Sequence, residues 1–254
     1  LLLHAAIIIT VLLLTACARP EDRAWQQVQQ TGVLRVGLDA SYPPFETLEE
    51  TGQIVGFDAD LAAEIGRRLG VQVELVNIAY DGLYDSLVTR RVDLLASALV
   101  PLPEAEESVS FSVPYFNAGE HLVVPAGSPV QSMDDLDGRV VAVETGSGGD
   151  VEARRWQRRL ADLTVERYVD PAAALQAVLD GTADAALVDG IAARLAVGAH
   201  PELALAGSVN DLLFTLVTAE ESPILLEETN QALEDMLRDG TIERLIEKWF
   251  GPQR

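Results

Sequence analysis

The stretch "DADLAAEIGRRLGVQVELV", residues 58–76, carries both of the periodicities that set the fold. Leu61, Ile65 and Leu69 recur every fourth residue, which puts them on one stripe of an α-helix. Asp58 stands where an N-cap belongs, and Gly70 where a left-handed C-terminal residue belongs. "VQVELV" follows as a strand. Upstream, the apolar run "LRVGL" (34–38) ends in the turn-rich "DASYPPF". Downstream the pattern predicts a helix at 82–91 and a strand "VDLLASAL" at 92–99. Strand–helix–strand units of this kind imply a mainly parallel sheet covered on both faces.

The pattern then starts again. "RVVAVETG" (139–146) is a strand running into a glycine-rich turn, with a helix predicted around 150–163. "DPAAALQAVLDG" (170–181) is a helix with Asp170 as N-cap, Pro171 in the first turn and Gly181 as the stop. It leads into "ADAALVD" (183–189) much as the earlier helix led into "VDLLASAL". Two similar α/β halves predict two lobes. Ligands of such sheets bind beyond the carboxyl ends of the strands, which here carry Asp39, Ser97, the turn 144–149 and Asp189. The tail 222–251 reads as two helices parted at Gly240, with Leu225, Leu226, Ala232, Leu233, Leu237, Ile242 and Ile246 as their apolar face.

The 254-residue chain is 48% apolar and 23% charged, the composition of a globular protein. Its net charge is −22 and Lys248 is its only lysine, which excludes a nucleic-acid partner that demands clustered cations. Exposed charges are screened beyond about 8 Å, so the acidic balance alone does not choose a small ligand. For most single carboxylates, including Glu104, Glu106 and Glu107 in the acidic loop after "SALVPL", the plain reading is a solvated surface.

Residues 1–16 are apolar and uncharged, suited to the core of a secretory signal; with Leu1 in place of Met, the extreme N-terminus is expected to be missing. The single cysteine, Cys17, closes "LTAC", which resembles the bacterial lipoprotein cleavage box, and residues 18–32 read as a polar tether behind it. One cysteine excludes an internal disulfide framework, and lipid at Cys17 would be the membrane anchor. His4, His121 and His200 show no metal or triad spacing, and "GSGG" (146–149) lacks the lysine of a phosphate loop. No cofactor or metal is expected.

Five stretches in order, "LRVGLDASYPPFE" (34–46), "GQIVGFDADLAAEIGRRLG" (52–70), "VDLLASAL", "FSVPYFNAGEHLVV" (111–124) and "DGTIERLIEKWFG" (239–251), resemble the solute-binding proteins of bacterial ABC importers, in the polar amino-acid branch. The resemblance implies a two-lobed periplasmic-binding-protein fold: α/β lobes, each a mainly parallel sheet flanked by helices, joined by two hinge strands. The first lobe would take 33–119 plus 216–254 and the second 120–215. It also implies a monomer outside the cytoplasm, in the cell envelope or periplasm, delivering ligand to membrane permease subunits.

By the same resemblance, Asp189 would grip the ligand's ammonium, Asp39 would line the site, and Tyr42 and Tyr80 would flank the ligand. Aromatic faces add about 0.5–2 kcal/mol of cation–π attraction. Plainer roles stand beside these: turn packing for Tyr42 next to Pro43 and Pro44, and a helix N-cap for Asp189.

The opposite half of the family site is altered. The arginine that forks onto the ligand's α-carboxylate aligns with Ala105, an assisting hydroxyl residue with Val100, and a second-lobe threonine with Gly148. A carboxylate buried without a counter-charge costs several kcal/mol. Hydrogen bonds of about 1.5–3 kcal/mol each could offset part of that. The donors available are Ser97, the amides near Ala98, and the 146–149 turn with Ser147, while Glu144 and Asp150 would oppose an anion there. Two ligands fit: an amino acid, particularly a basic one, held by amides and Ser97, or an organic cation such as a polyamine held by Asp39, Glu144 and Asp189. Two other classes stand against a binding protein. One is a periplasmic dehydratase using Glu144 as general acid. The other is a sensory domain, which the end of the chain at Arg254 disfavours.

Overall fold

The computed structural model describes residues 22–251, so the predicted signal stretch and Cys17 lie outside the described residues. In chain order the first elements are α1 (Arg23–Thr31), β1 (Val33–Leu38), β2 (Ser41–Tyr42), β3 (Glu46–Leu48), β4 (Ile54–Val55), α2 (Phe57–Leu69), β5 (Gln72–Asn77), α3 (Leu83–Val88), β6 (Leu94–Leu99), β7 (Val109–Phe111) and β8 (Phe116–Asn117). Then follow β9 (Glu120–Pro125), β10 (Val140–Glu144), α4 (Gly148–Gln157), β11 (Thr164–Tyr168), α5 (Pro171–Leu179), β12 (Ala185–Asp189), α6 (Gly190–Ala199) and β13 (Leu203–Ser208). The chain closes with β14 (Leu213–Ala219), α7 (Pro223–Arg238) and α8 (Thr241–Phe250).

Two mixed sheets result. The first runs β5-β1-β6-β14-β7 and the second β11-β10-β12-β9-β13. In each, the βαβ units supply the parallel pairs: β1 with β5 and β6, and β10 with β11 and β12. The strands that carry the chain between the sheets pair antiparallel, β14 with β6 and β9 with β12. The two crossing segments lie side by side. β8 pairs with the start of β14, Asn117 Nδ2 donates to Asp211 Oδ1 at 2.7 Å, and the Glu120 N–H donates to Asn210 Oδ1 at 2.7 Å.

An aromatic knot fixes the first lobe to these crossings. The Phe45 ring lies 5.8 Å from Phe57, 5.0 Å from Phe116, 5.3 Å from Phe214 and 5.4 Å from Phe250, all edge-on. The knot thus draws together the turn after β2, the start of α2, both crossings and the last helix.

Several element ends differ from the sequence reading for physical reasons. Helix α2 starts at Phe57 with Gly56, not Asp58, as its N-cap. Gly56 sits at φ 143°, and a Cβ there would come within 2.0 Å of the Phe45 carbonyl oxygen, so only glycine fits. Asp58 is instead carried inward to the core. The helix read at 82–91 is a 3₁₀ turn (Tyr80–Gly82) followed by the short α3, and α4 ends at Gln157 instead of extending to 163. Asp170 caps α5 as expected, accepting from the Ala173 N–H at 2.7 Å. Leu237, counted on the apolar face of the tail, is exposed.

The stretch read as a tether is docked from residue 22 onward. Val28 on α1 is buried, and buried Asp22 caps two helices at once. Its Oδ1 accepts from the Trp25 N–H at 2.8 Å, and its Oδ2 from the Ile224 and Leu225 N–H groups, both at 2.8 Å. Losing a cap costs about 0.5–2 kcal/mol. Replacing Asp22 with Ala removes two, so the expected loss is about 1–4 kcal/mol, read from urea unfolding; a change within error would show that α1 is not fastened through Asp22.

Candidate functional site

At the carboxyl ends of β1, β5 and β6 lies a hollow of about 370 Å³ lined by Asp39, Ser41, Tyr42, Glu46, Tyr80, Ser97, Ala98, Leu212 and Phe214. That volume suits a small solute. Tyr42 is 46% exposed and Tyr80 60%, so their faces are open at the mouth, and the Tyr42 ring stacks on Phe45 at 5.7 Å. Five of the residues expected at the site, Asp39, Tyr42, Tyr80, Ser97 and Ala98, share this hollow. Asp39 Oδ2 accepts from the Tyr80 N–H at 2.9 Å, which ties the turn after β1 to the turn after β5.

Beneath them is a buried network that the sequence reading missed. The Asp39 N–H donates to Ser97 Oγ at 3.0 Å, and the Ser97 hydroxyl donates to Glu46 Oε1 at 2.7 Å. Asp58 Oδ2 accepts from the Ala98 N–H at 2.7 Å and from the Tyr115 hydroxyl at 3.1 Å. Glu46 is 1% exposed and Asp58 0%. Glu46 Oε2 and Asp58 Oδ1 are buried without any other partner. Burial, and for Glu46 also the charge of Asp58, pushes both carboxyls above the usual carboxylate range. One proton shared by the pair satisfies both orphaned atoms. The bond to Asp58 also holds Ala98 at φ 46°, a left-handed conformation costly for a residue with a Cβ. The donors expected to welcome a ligand carboxylate, the Ser97 hydroxyl and the Ala98 amide, are therefore engaged by carboxyl groups of the protein itself.

The second wall stands on the other sheet. Asp189 ends β12 and caps α6, its Oδ1 accepting from the Ile191 and Ala192 N–H groups, both at 3.0 Å. Its charge also reaches Tyr42: burial first, and then Asp189, raises the Tyr42 hydroxyl. Opposite Asp189 in the antiparallel register is Glu120, which the sequence reading did not single out. Burial, with the negative charges of Asp189, Glu152 and Glu144, pushes Glu120 up to about 7, and its Oε2 has no partner. Glu144 ends β10, and Ser147 caps α4: its hydroxyl donates to the Glu144 carbonyl at 2.9 Å while accepting from the Asp150 N–H at 3.2 Å. Glu144, Ser147 and Asp189 do not line the hollow, which is built on the first sheet and the crossings.

Asp150 has no share in the cleft's charge. It is buried, and Arg154 at 3.0 Å, Arg167 at 2.9 Å and the Gly146 N–H at 3.1 Å hold it. Ala105, in the 3₁₀ turn Pro103–Ala105, packs against the core around Leu83 and Leu87. Glu104, Glu106 and Glu107 are exposed outside the lining. The half-buried Arg194 lies over Phe116 at 4.6 Å and donates to the Asn117 and Gly190 carbonyls, on the side of the crossings that faces Ile246 and Phe250. Among the described residues, neither arginine nor lysine lines the hollow.

A profile of the bacterial extracellular solute-binding proteins, family 3, matches residues 34–252. The chain belongs to this family. The L-cystine-binding protein TcyJ of Escherichia coli strain K12 is 31% identical over 230 residues, covering 89% of this chain and 85% of the relative. Among solved structures, an ancestral cationic amino acid solute-binding protein is 33% identical with a TM-score of 0.62, covering 89% of this chain and 98% of that one. An ancestral cyclohexadienyl dehydratase is 28% identical with a TM-score of 0.79, covering 91% and 97%. Two-lobed neighbours of this kind match the architecture above. Family membership places the chain outside the cytoplasm.

The shared proton has a measurable consequence. Both carboxyls are held above their unfolded values, so the stability they contribute is complete at low pH and is lost as pH rises through the folded values. One proton taken up on folding corresponds to a loss of about 1.4 kcal/mol per pH unit. Glu46→Gln keeps a donor toward Asp58 without the titration. Unfolding free energies from about pH 5 to about pH 9 should decline less steeply in the variant; equal slopes would show that no proton is shared.

Proposed function

We propose that the protein is the solute-binding component of an ABC importer and captures a small amino acid or related amine-bearing solute, cationic or zwitterionic, by lobe closure. The observation that carries this reading is the charge of the two walls. Asp39 lines one and Asp189 and Glu120 stand on the other, with two open tyrosine faces and no cationic side chain in the lining. An ammonium leaving water needs this pairing of carboxylates and aromatic faces. The relatives named for L-cystine and for cationic amino acids support a solute bearing an ammonium group. We take 33–119 plus 216–254 as one lobe and 120–215 as the other, hinged at the paired crossings, in a monomer held to the membrane by lipid on Cys17 and docking on permease subunits.

Binding without turnover is part of the proposal. The likeness to an ancestral cyclohexadienyl dehydratase motivates the rival reading, and Glu120, held near neutrality, is its best general acid in place of Glu144. A cyclic carboxylic acid is an anion, however, and the walls here repel one. Catalysed loss of water from prephenate would overturn this part.

Replacing Asp189 with Asn preserves an α6 cap while removing the charge. Titration calorimetry with arginine and putrescine should show at least one of them binding the native protein, and that affinity should drop by about tenfold or more in the variant, as about 1.4 kcal/mol of lost ion pairing predicts. Small-angle scattering should record a smaller radius of gyration at saturation. Tightest binding to glutamate, or an unchanged affinity in the variant, would reject the cationic cleft. The lipid is checked separately by intact mass: an acyl increment is expected on the native mature chain and not on Cys17→Ser.

A further inference from the structure

We infer that this cleft selects an organic cation that has no carboxylate, because the donors traced on both walls are already engaged within the protein, most of them by its own carboxyl groups, with Glu120 closing the second wall to an anion. The inference rests on the amine-bearing solute proposed above and narrows it to amines without an acid group.

On the first wall every donor traced at the floor has a resident acceptor. The Ser97 hydroxyl goes to Glu46, the Ala98 N–H to Asp58, the Tyr80 N–H to Asp39 and the Asp39 N–H to Ser97. Releasing any of them to a ligand carboxylate would leave a buried oxygen of Glu46 or Asp58, or the turn at Asp39, without its partner.

On the second wall the start of α4 would be the natural seat for an anion, since its first N–H groups are free of helix partners. Glu120 already stands there. A Cβ built on Gly148 would fall 2.3 Å from Glu120 Oε1, and one on Gly149 would fall 3.1 Å from Oε2. The carboxyl group lies flush against the first turn of α4, in room that exists only because both residues are glycines. Other donors at this end are already engaged: the Gly146 N–H by Asp150, the Ser147 hydroxyl by the Glu144 carbonyl, and the Ile191 and Ala192 N–H groups by Asp189. The strand register sets Glu120 directly opposite Asp189, so an incoming acid group would meet two carboxyls at one end of the second sheet. An incoming ammonium would meet two acceptors, one of them with an unpartnered oxygen. Burial first, and then the proximity of the three other acids, holds the Glu120 proton to about 7 when no cation is near, and a docked cation would favour its release.

Matched pairs that differ only in the acid group isolate this property. The full mature chain is titrated calorimetrically at about pH 8, where Glu120 is ionised, with agmatine against arginine and with cadaverine against lysine. At least one amine should bind tenfold or more tighter than its parent amino acid. Parents that bind equally well or better would overturn the inference and leave the amine-bearing reading standing. Absence of binding by all four would overturn both. Glu120→Gln, which keeps the shape and removes the charge, should narrow the amine-to-amino-acid ratio at least threefold; an unchanged ratio would remove Glu120 from the selection.

Discussion

A single proton between two buried carboxyl groups holds the floor of this cleft together. Glu46 arrives on β3, Asp58 on the first turn of α2, and their outer oxygens reach Ser97 and the Ala98 amide at the end of β6 and the Tyr115 hydroxyl just before β8. Four separated pieces of chain therefore meet at one hydrogen-bonded group. Without the proton, two charges would be buried side by side with no cation, at a cost of several kcal/mol. With it, the pair is neutral enough to bury and directional enough to fix the turn of β6, including the left-handed Ala98.

The same pair sets the chemistry above it. Ser97 has one hydroxyl proton, and because it goes to Glu46 the oxygen is left to accept from the Asp39 amide. That orders the Asp39 turn, whose carboxylate then takes the Tyr80 amide and places both beside the hollow. The floor thus presents acceptors, not donors. On the facing sheet, Asp189 combines the N-cap of α6 with a charge felt by Tyr42, and Glu120 stands beside it in register. Walls of one sign repel when they approach each other, so the proposed closure would be favoured by a solute of the other sign between them. Differential affinity for the closed state is the one means by which a ligand shifts such an equilibrium.

Family membership and the cleft chemistry draw on different residues. The family's two-lobed scaffold has among its structural neighbours both a cationic amino acid-binding protein and a dehydratase. The cleft chemistry of this chain is set locally, by Ala105 turned to the core around Leu83, Gly148 leaving room for Glu120, and the acids at both walls.

Periodicity alone located both βαβ halves, the caps at Asp170 and Gly70, and the strand ends that carry Asp39, Ser97 and Asp189, because those features depend on neighbours within a turn or two of chain. The start of α2 and the end of α3 were less legible, since a carbonyl of Phe45 and a left-handed Arg90 lie at them in the folded chain. Sequence likewise gave no reason to pick Glu46 or Glu120 from 40 acidic residues. Each became distinctive through a partner far away in the chain: Asp58 and Ser97 for Glu46, Asp189 and Gly148 for Glu120. Local residue order determined the elements and their sequence along the chain. Which hydroxyls and amides remained free to meet a solute was decided only when the tertiary fold brought buried carboxyls within hydrogen-bonding reach of them.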